Sequence, residues 1–106
     1  MKPLKFLGAS LNDLRSFPDE PRRAAGFQLF RVQGGREPRN WRPMGIVGPG
    51  AKEIRIHASG QWRVIYVAEF ADAVYVLHSF QKKSRQTSAH DIEVARQRYK
   101  QIGERP

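Results

Sequence analysis

The stretch KEIRIHASGQWRVIYVAEF, residues 52–70, carries the strongest secondary-structure signal in the chain. Isoleucines alternate with charged residues in its first half, and aromatic or aliphatic residues alternate with Arg63, Ile65 and Val67 in its second half. A period of two is typical of β-strands. The short connection at residues 58–60 predicts that the two strands are antiparallel neighbours. If the register pairs Arg55 with Arg63 across this turn, the two side chains lie on the same side of the sheet.

Two further apolar runs extend this sheet. The sequence AVYVLHSF, residues 73–80, is rich in β-branched and aromatic residues and follows the second strand after a short connection. The run LKFL, residues 4–7, has the character of a short strand. Residues 34–51 show no usable period, because prolines and glycines alternate there. We therefore predict an ordered loop, anchored by its few large apolar side chains.

A helical hairpin is predicted between the first strand and this loop. Its first helix begins at Ser10 with a capping-box-like pattern and ends before Pro18. Its second helix runs from Asp19 to about Gln33 and is stopped by the glycines that follow. The residues predicted to form the buried stripe of the second helix are Ala24, Phe27 and Phe30, with Leu29 and Val32 widening it.

A last helix is predicted after Ser88, which forms a second capping-box-like pattern with Asp91. Its buried face is predicted to comprise Ile92, Ala95, Tyr99 and Ile102, with Arg96, Arg98 and Lys100 facing water. The predicted element order is therefore βααβββα. It describes a single α+β domain, residues 1–106, in which a mainly antiparallel sheet has helices packed on one face.

The charge composition favours a polyanionic partner. The chain has 19 Lys and Arg against 10 Asp and Glu, a formal net charge of +9. Such an excess is typical of nucleic-acid-binding proteins, although solubility alone would also explain it. There are no cysteines, which excludes disulfides and thiolate zinc sites, and we expect no metal or other cofactor. No segment approaches the roughly 18 apolar residues of a membrane span, so we expect a cytoplasmic protein without a membrane partner.

Four segments together resemble the phage-derived, HigB-like branch of the RelE/ParE toxin superfamily. They are VGPGAKEIRI, WRVIYVAEF, AVYVLHSFQKKSRQTS and DIEVARQRY. The resemblance implies a RelE-like fold and the toxin of a type II toxin-antitoxin pair. Such a toxin is a ribosome-associated endoribonuclease that cuts mRNA. It is silenced by a protein antitoxin, which is often a helix-turn-helix DNA binder.

Cleavage of RNA by attack of the 2′-hydroxyl needs a base, positive charge for the phosphorane, and an acid for the leaving 5′-oxygen. By resemblance, Arg55 takes the place of a catalytic lysine and Arg63 matches an arginine of the corresponding strand. Lys82 and Lys83 match a basic pair at the end of the last strand. The candidate catalytic residues are Arg55, His57, Arg63, Lys82 and Lys83, and the candidate RNA-binding residues are Arg55, Arg63, Lys82, Lys83 and Arg85.

Several alternatives remain open at this level. Instead of binding RNA, Arg63 could form an ion pair with Glu53 or Glu69 across the sheet. Likewise, His78 could be a hydrogen-bonded core histidine rather than a catalytic base. The region after the last strand lacks the tyrosine that RelE-type enzymes commonly carry, so the general base is unassigned. The alternative functions are a ParE-like inhibitor of DNA gyrase and an inactive, basic nucleic-acid-binding module.

Overall fold

The structure is a computed structural model that describes residues 1–104. Its elements, in chain order, are β1 (Leu4–Phe6), α1 (Ser10–Arg15), α2 (Asp19–Gln33), β2 (Trp41–Pro43), β3 (Ala51–His57), β4 (Gln61–Val67), β5 (Val74–Gln81) and α3 (Ala89–Glu104). The strands form one sheet in the order β1-β5-β4-β3-β2. β1 is parallel to β5, and the other neighbouring strands are antiparallel. The predicted α+β class with a mainly antiparallel sheet is confirmed.

Strand β2 is an addition to the predicted element order, because it lies within the segment predicted to be a loop. It pairs antiparallel with β3 at the edge of the sheet, where Pro43 lies opposite Lys52. Proline has no N–H to donate, and it is tolerated on an edge strand. The rest of the segment is ordered around the buried side chains of Met44 and Val47. A strand of three residues is too short to show a period of two.

The helices pack on both faces of the sheet. On one face, residues of α1 and α2, among them Leu14 and Leu29, pack with Ile54 and Val64. On the other face, α3 packs through Ala95 and Ile102 against residues of β4 and β5 that include Ile65, Val67, Tyr75 and Leu77. The prediction that the helices lie on one face is wrong. The central strands are apolar on both faces over much of their length, so both faces must be covered.

The buried face of α2 matches the predicted stripe only at Leu29 and Val32. The buried residues of α2 are Pro21, Ala25, Leu29 and Val32. Phe27 and Phe30 are instead 48% and 55% exposed. Both sets of residues have helical spacing, but they lie on different faces of the helix. The spacing alone therefore predicts a helix without deciding which face packs on the sheet.

Replacing a buried and an exposed side chain of α2 with alanine should have different effects on the stability of the protein. We expect Leu29→Ala to lower the free energy of unfolding by about 2–5 kcal/mol, because removal of a fully buried side chain leaves a cavity. We expect Phe30→Ala to change it by less than about 0.5 kcal/mol, because the ring is largely in water. Urea unfolding of the two variants measures the difference. Equal destabilisation by both would contradict the burial pattern of α2.

The two predicted capping boxes differ in outcome. At the start of α3, the backbone N–H of Asp91 donates to Ser88 Oγ at 3.1 Å, and the Ser88 hydroxyl donates to the Asp91 carboxylate at 2.7 Å. The predicted helix cap by Ser88 is confirmed. At the start of α1, Ser10 is buried and donates to the carbonyl oxygen of Val76 in β5 at 3.1 Å. Ser10 therefore ties α1 to the sheet and does not cap the helix.

None of the helices within residues 1–104 combines the length and apolar character needed to cross a membrane. The two longest, α2 and α3, have 15 and 16 residues. A membrane-spanning helix needs about 20 predominantly apolar residues.

Candidate functional site

A tight turn between β3 and β4 sets the register on which the site depends. The turn occupies residues 58–60 and includes Gly60 at φ 125°, a conformation that a residue without a side chain adopts readily. The turn places Arg55 of β3 directly opposite Arg63 of β4. The register therefore meets the condition under which the sequence places the two arginines on the same side of the sheet. Both lie on the face of the sheet against which α3 packs.

The guanidinium of Arg63 is buried but incompletely paired. Its Nη1 donates to the carbonyl oxygen of Trp62 at 2.8 Å, and its Nε has no hydrogen-bond partner among the described residues. The Glu53 carboxylate is 3.8 Å from Arg63 Nε. Burial lowers the pKa of Arg63 and the Glu53 carboxylate raises it in part. The neighbouring guanidinium groups of Arg55 and Arg42 lower that pKa again.

Glu53 lies at the centre of a hydrogen-bonded network that joins three segments of the chain. Its side chain is fully buried, on the same face of β3 as Arg55. Arg42 Nε, from β2, donates to one carboxylate oxygen at 2.8 Å, and the Thr87 hydroxyl donates to the other at 2.6 Å. Arg42 Nη2 also donates to Thr87 Oγ1 at 3.2 Å. A buried carboxylate needs such partners, because an unpaired charge in the interior is very unfavourable.

Four cations surround this one carboxylate. We call Arg42, Glu53, Arg55, Arg63 and Lys82 the cationic cluster. Because Glu53 neutralises only one of the four positive charges, the cluster keeps a net positive charge. The Arg55 side chain is partly exposed and has no hydrogen bond or ion pair within residues 1–104. The same residues contain no group of three or more His, Asp or Glu placed to hold a metal ion. The arrangement is chemically suited to an anion.

Lys82 is coupled electrostatically to the rest of the cluster. Its backbone N–H donates to the carbonyl oxygen of Gln61 at 2.7 Å, which holds the end of β5 beside β4. Desolvation lowers the pKa of the Lys82 ammonium, and the nearby cations, of which Arg63 acts most strongly, lower it further. Lys82 therefore gives up its proton more readily than an ordinary lysine.

The lowered pKa of Lys82 predicts a pH dependence of anion binding. As the pH rises through this pKa, below the ordinary lysine value of 10.5, Lys82 becomes neutral and affinity for a single-stranded oligonucleotide should fall by up to about fivefold. Lys82→Arg should remove this pH dependence, because a guanidinium stays charged. Fluorescence anisotropy at constant ionic strength measures the effect. Lys83→Arg is the matched control, and a loss of pH dependence in that variant instead would contradict the assignment.

The other predicted site residues lie outside the cationic cluster. His57 is exposed at the end of β3, two residues beyond Arg55 and on the same strand face. Lys83 and Arg85 are exposed in the segment between β5 and α3. No hydrogen bond or ion pair joins any of the three to the cluster within the part of the chain that the structure describes. Their roles in catalysis and RNA binding stay predictions.

His78 is a buried structural histidine, as the alternative interpretation predicts. Its Nε2 is 2.7 Å from Asp91 Oδ1, and its ring stacks on Phe80 with 4.7 Å between ring centres. Burial lowers the pKa of His78, and the Asp91 hydrogen bond partly opposes this. Arg98, predicted to face water, instead donates to the carbonyl oxygen of Leu77 at 2.9 Å. These contacts fasten α3 to β5 next to the cationic cluster.

Two residues of the site, Arg42 and Thr87, were not predicted from the sequence, and Glu53 was named only as an alternative partner of Arg63. Arg42 and Thr87 lie in segments without periodicity, so nothing in the local pattern indicates where they point. Alternation along β3 and the register with β4 place Glu53 on the same side of the sheet as Arg55 and Arg63. A carboxylate at that position suggests an internal partner for an arginine. The predicted alternative that Arg63 pairs with Glu53 is partly correct, since Arg42 makes the shorter contact.

Comparison with known proteins identifies a family. The profile of the family described as "Phage derived protein Gp49-like (DUF891)" matches residues 12–100. A search among curated proteins gives no significant match. The matched range contains every residue of the cationic cluster and elements α2 to β5 in full. Because the match extends over most of the 106 residues, this chain belongs to the Gp49-like family of phage-derived proteins.

Proposed function

We propose that this protein is a toxin of the RelE/HigB type that cleaves mRNA at the cationic cluster. The Gp49-like family is toxin-like and related to toxins of this type. One observation carries the proposal: Arg55 and Arg63 lie directly opposite each other, and Glu53 leaves most of the positive charge around them uncompensated. A phosphodiester is an anion of the size that two neighbouring guanidinium groups bind well.

The proposed reaction is a transesterification within the RNA backbone. The 2′-hydroxyl attacks the adjacent phosphorus, so that a bond forms between the 2′-oxygen and phosphorus while the bond to the 5′-oxygen breaks. The proton of the 2′-hydroxyl passes to a base, and an acid gives a proton to the departing 5′-oxygen. The products are a 2′,3′-cyclic phosphate and a 5′-hydroxyl.

The residues of the cluster match the charges that this reaction develops. Arg55 and Arg63 would stabilise the extra negative charge of the phosphorane, where preorganised donors are most effective. Lys82, whose pKa is lowered, would give its proton to the leaving oxygen. His57 is the candidate base, because an imidazole nitrogen can accept a proton and the side chain lies on the strand face of Arg55. Lys83 and Arg85 would hold neighbouring phosphates of the RNA.

The test is to incubate the purified protein with free mRNA and with ribosomes programmed with the same mRNA. We expect cleavage products with 2′,3′-cyclic phosphate ends, and more of them on the ribosome if the RelE-type resemblance extends to the substrate. RNA that is bound but never cut would indicate a binding module instead. Uncut RNA together with inhibition of DNA supercoiling by gyrase would indicate the ParE-like alternative.

A toxin of this kind also requires a protein that silences it. The toxin-like character of the family suggests an antitoxin partner, and the resemblance predicts one of helix-turn-helix type. A reading frame for a small DNA-binding protein directly beside the gene would support the proposal independently of any assay on the isolated chain.

A further inference from the structure

The exposed face of α2 carries an apolar patch that the proposed reaction does not use. Phe27 and Phe30 lie on this face, one helical turn apart. They contribute to a surface depression of about 380 Å³. We call it the α2 patch, and its lining residues are Met1, Phe27, Phe30, Arg31, Gly34 and Arg36. Large exposed aromatic side chains grouped in this way commonly mark an interaction surface.

The chain after α2 folds back along the helix and fixes the rim of the patch. The N–H of Arg36 donates to the carbonyl oxygen of Arg31 at 3.0 Å. Arg31 Nε donates to the carbonyl oxygen of Glu37 at 3.2 Å, and the N–H of Arg39 donates to the Gln28 side chain at 2.8 Å. The patch is therefore a preformed surface.

The rim of the α2 patch is strongly basic. Arg39 lies over the ring of Phe27, with its guanidinium carbon 5.5 Å from the ring centre. Arg23 is exposed one helical turn before Phe27. Glu20 is the acidic residue on this face of α2, and it lies at the start of the helix, two turns before Phe27. Together with Arg31 and Arg36, these side chains surround an apolar floor with excess positive charge.

We propose that the α2 patch binds an acidic amphipathic helix of a partner protein. Apolar residues of that helix would occupy the depression, and its carboxylates would pair with the arginines of the rim. An apolar centre with a charged rim is the usual anatomy of a protein interface, and an amphipathic helix in a groove is a common way to fill one. The inference rests on the proposed function only in taking the partner to be the antitoxin.

Two other occupants fit the patch less well. A second copy of this chain would bring the same arginines together, and the net charge of +9 adds to the repulsion. A single-stranded nucleic acid needs cations along the path of its backbone, whereas the arginines here surround an apolar depression. Moreover, α2 packs on the sheet face opposite to the Arg63 side chain, and Arg55 is not among the residues that line the patch.

The test uses a labelled helical peptide in which leucines recur every third and fourth position and glutamates fill the remaining positions. A matched peptide carries lysines in place of the glutamates, and an oligouridine tests for nucleic acid. We expect the acidic peptide to bind the parent chain, and Phe27→Ser/Phe30→Ser to weaken its binding by at least about tenfold. Lys100→Ala, which removes an exposed charge from α3 on the other face of the sheet, should leave peptide binding unchanged.

The outcomes separate this inference from the proposed function. The inference is overturned if the acidic peptide does not bind, or if the lysine peptide binds equally well. It is also overturned if the double variant binds the acidic peptide as tightly as the parent does. Loss of oligouridine binding in the double variant would assign the patch to nucleic acid. A dimer that becomes monomeric in the double variant would assign it to a second copy, and either result overturns the inference. Peptide binding by a parent chain that cuts no RNA would refute the proposed function and leave the inference standing.

Discussion

Replacing Arg63 with alanine is expected to lower the rate of RNA cleavage by about 100- to 1,000-fold, the usual effect of removing one preorganised donor to a transition-state anion. Arg63 is held in place by burial and by the carbonyl oxygen of Trp62, so its guanidinium has little freedom to lose when substrate binds. Its Nε lacks a hydrogen-bond partner within residues 1–104. The measurement is the single-turnover rate of cleavage at saturating protein.

The control for Arg63→Ala is Arg15→Ala, which removes one positive charge from an exposed position in α1. This control should leave the cleavage rate within about twofold of the parent. The circular dichroism spectrum and urea midpoint of both variants establish that they are folded. If Arg63→Ala cuts RNA as fast as the parent does, the active site lies elsewhere. We also expect production of the parent chain in cells to arrest growth, and production of the Arg63→Ala variant not to do so.

Replacing Glu53 with alanine is expected to lower the free energy of unfolding by about 3–5 kcal/mol, because it leaves the buried guanidinium of Arg63 and the partly buried one of Arg42 without their carboxylate. Glu53 is fully buried, and it accepts hydrogen bonds from Arg42 and Thr87 at 2.8 and 2.6 Å. Without it, the edge strand β2 and the segment before α3 lose their common attachment. Urea unfolding at neutral pH measures the change.

The matched control for Glu53→Ala is Glu93→Ala in α3. Glu93 also lies beside an arginine, Arg96, at 3.6 Å, but both side chains are exposed. Its removal should change stability by less than about 1 kcal/mol, the usual range for a surface ion pair. If Glu53→Ala and Glu93→Ala lower the free energy of unfolding by similar amounts, burial does not explain the contribution of Glu53 to stability.

The two variants together distinguish a structural cluster from a catalytic one. Glu53→Ala should act mainly on stability, whereas Arg63→Ala should act mainly on cleavage. Arg42 and Thr87 still satisfy Glu53 when Arg63 is removed, so the loss of Arg63 does not leave the carboxylate unpaired. If Arg63→Ala instead destabilises the protein as strongly as Glu53→Ala does, Arg63 belongs mainly to the internal ion pair.

The sequence by itself determined the central antiparallel strands and which of their side chains share a strand face, whereas the register that pairs Arg55 with Arg63 came from the structure. Alternation in residues 52–70 indicates which side chains share a face, and the short turn leaves few possible registers. These features are local, since each depends on residues adjacent in the chain or joined through one turn. The net charge of +9 also follows from composition alone.

Only the tertiary structure decided which other residues join the site and which faces the helices bury. Arg42 and Thr87 reach Glu53 from positions 11 and 34 residues away, and neither belongs to a periodic segment. The exposure of Phe27 and Phe30 follows from the orientation of α2 on the sheet. More than one face of α2 carries apolar residues at helical spacing. Which of these faces packs on the sheet depends on contacts with strands that are distant in the sequence. Periodicity records the conformation of a segment, whereas contact between segments depends on the complementary shapes and charges of surfaces far apart in the sequence.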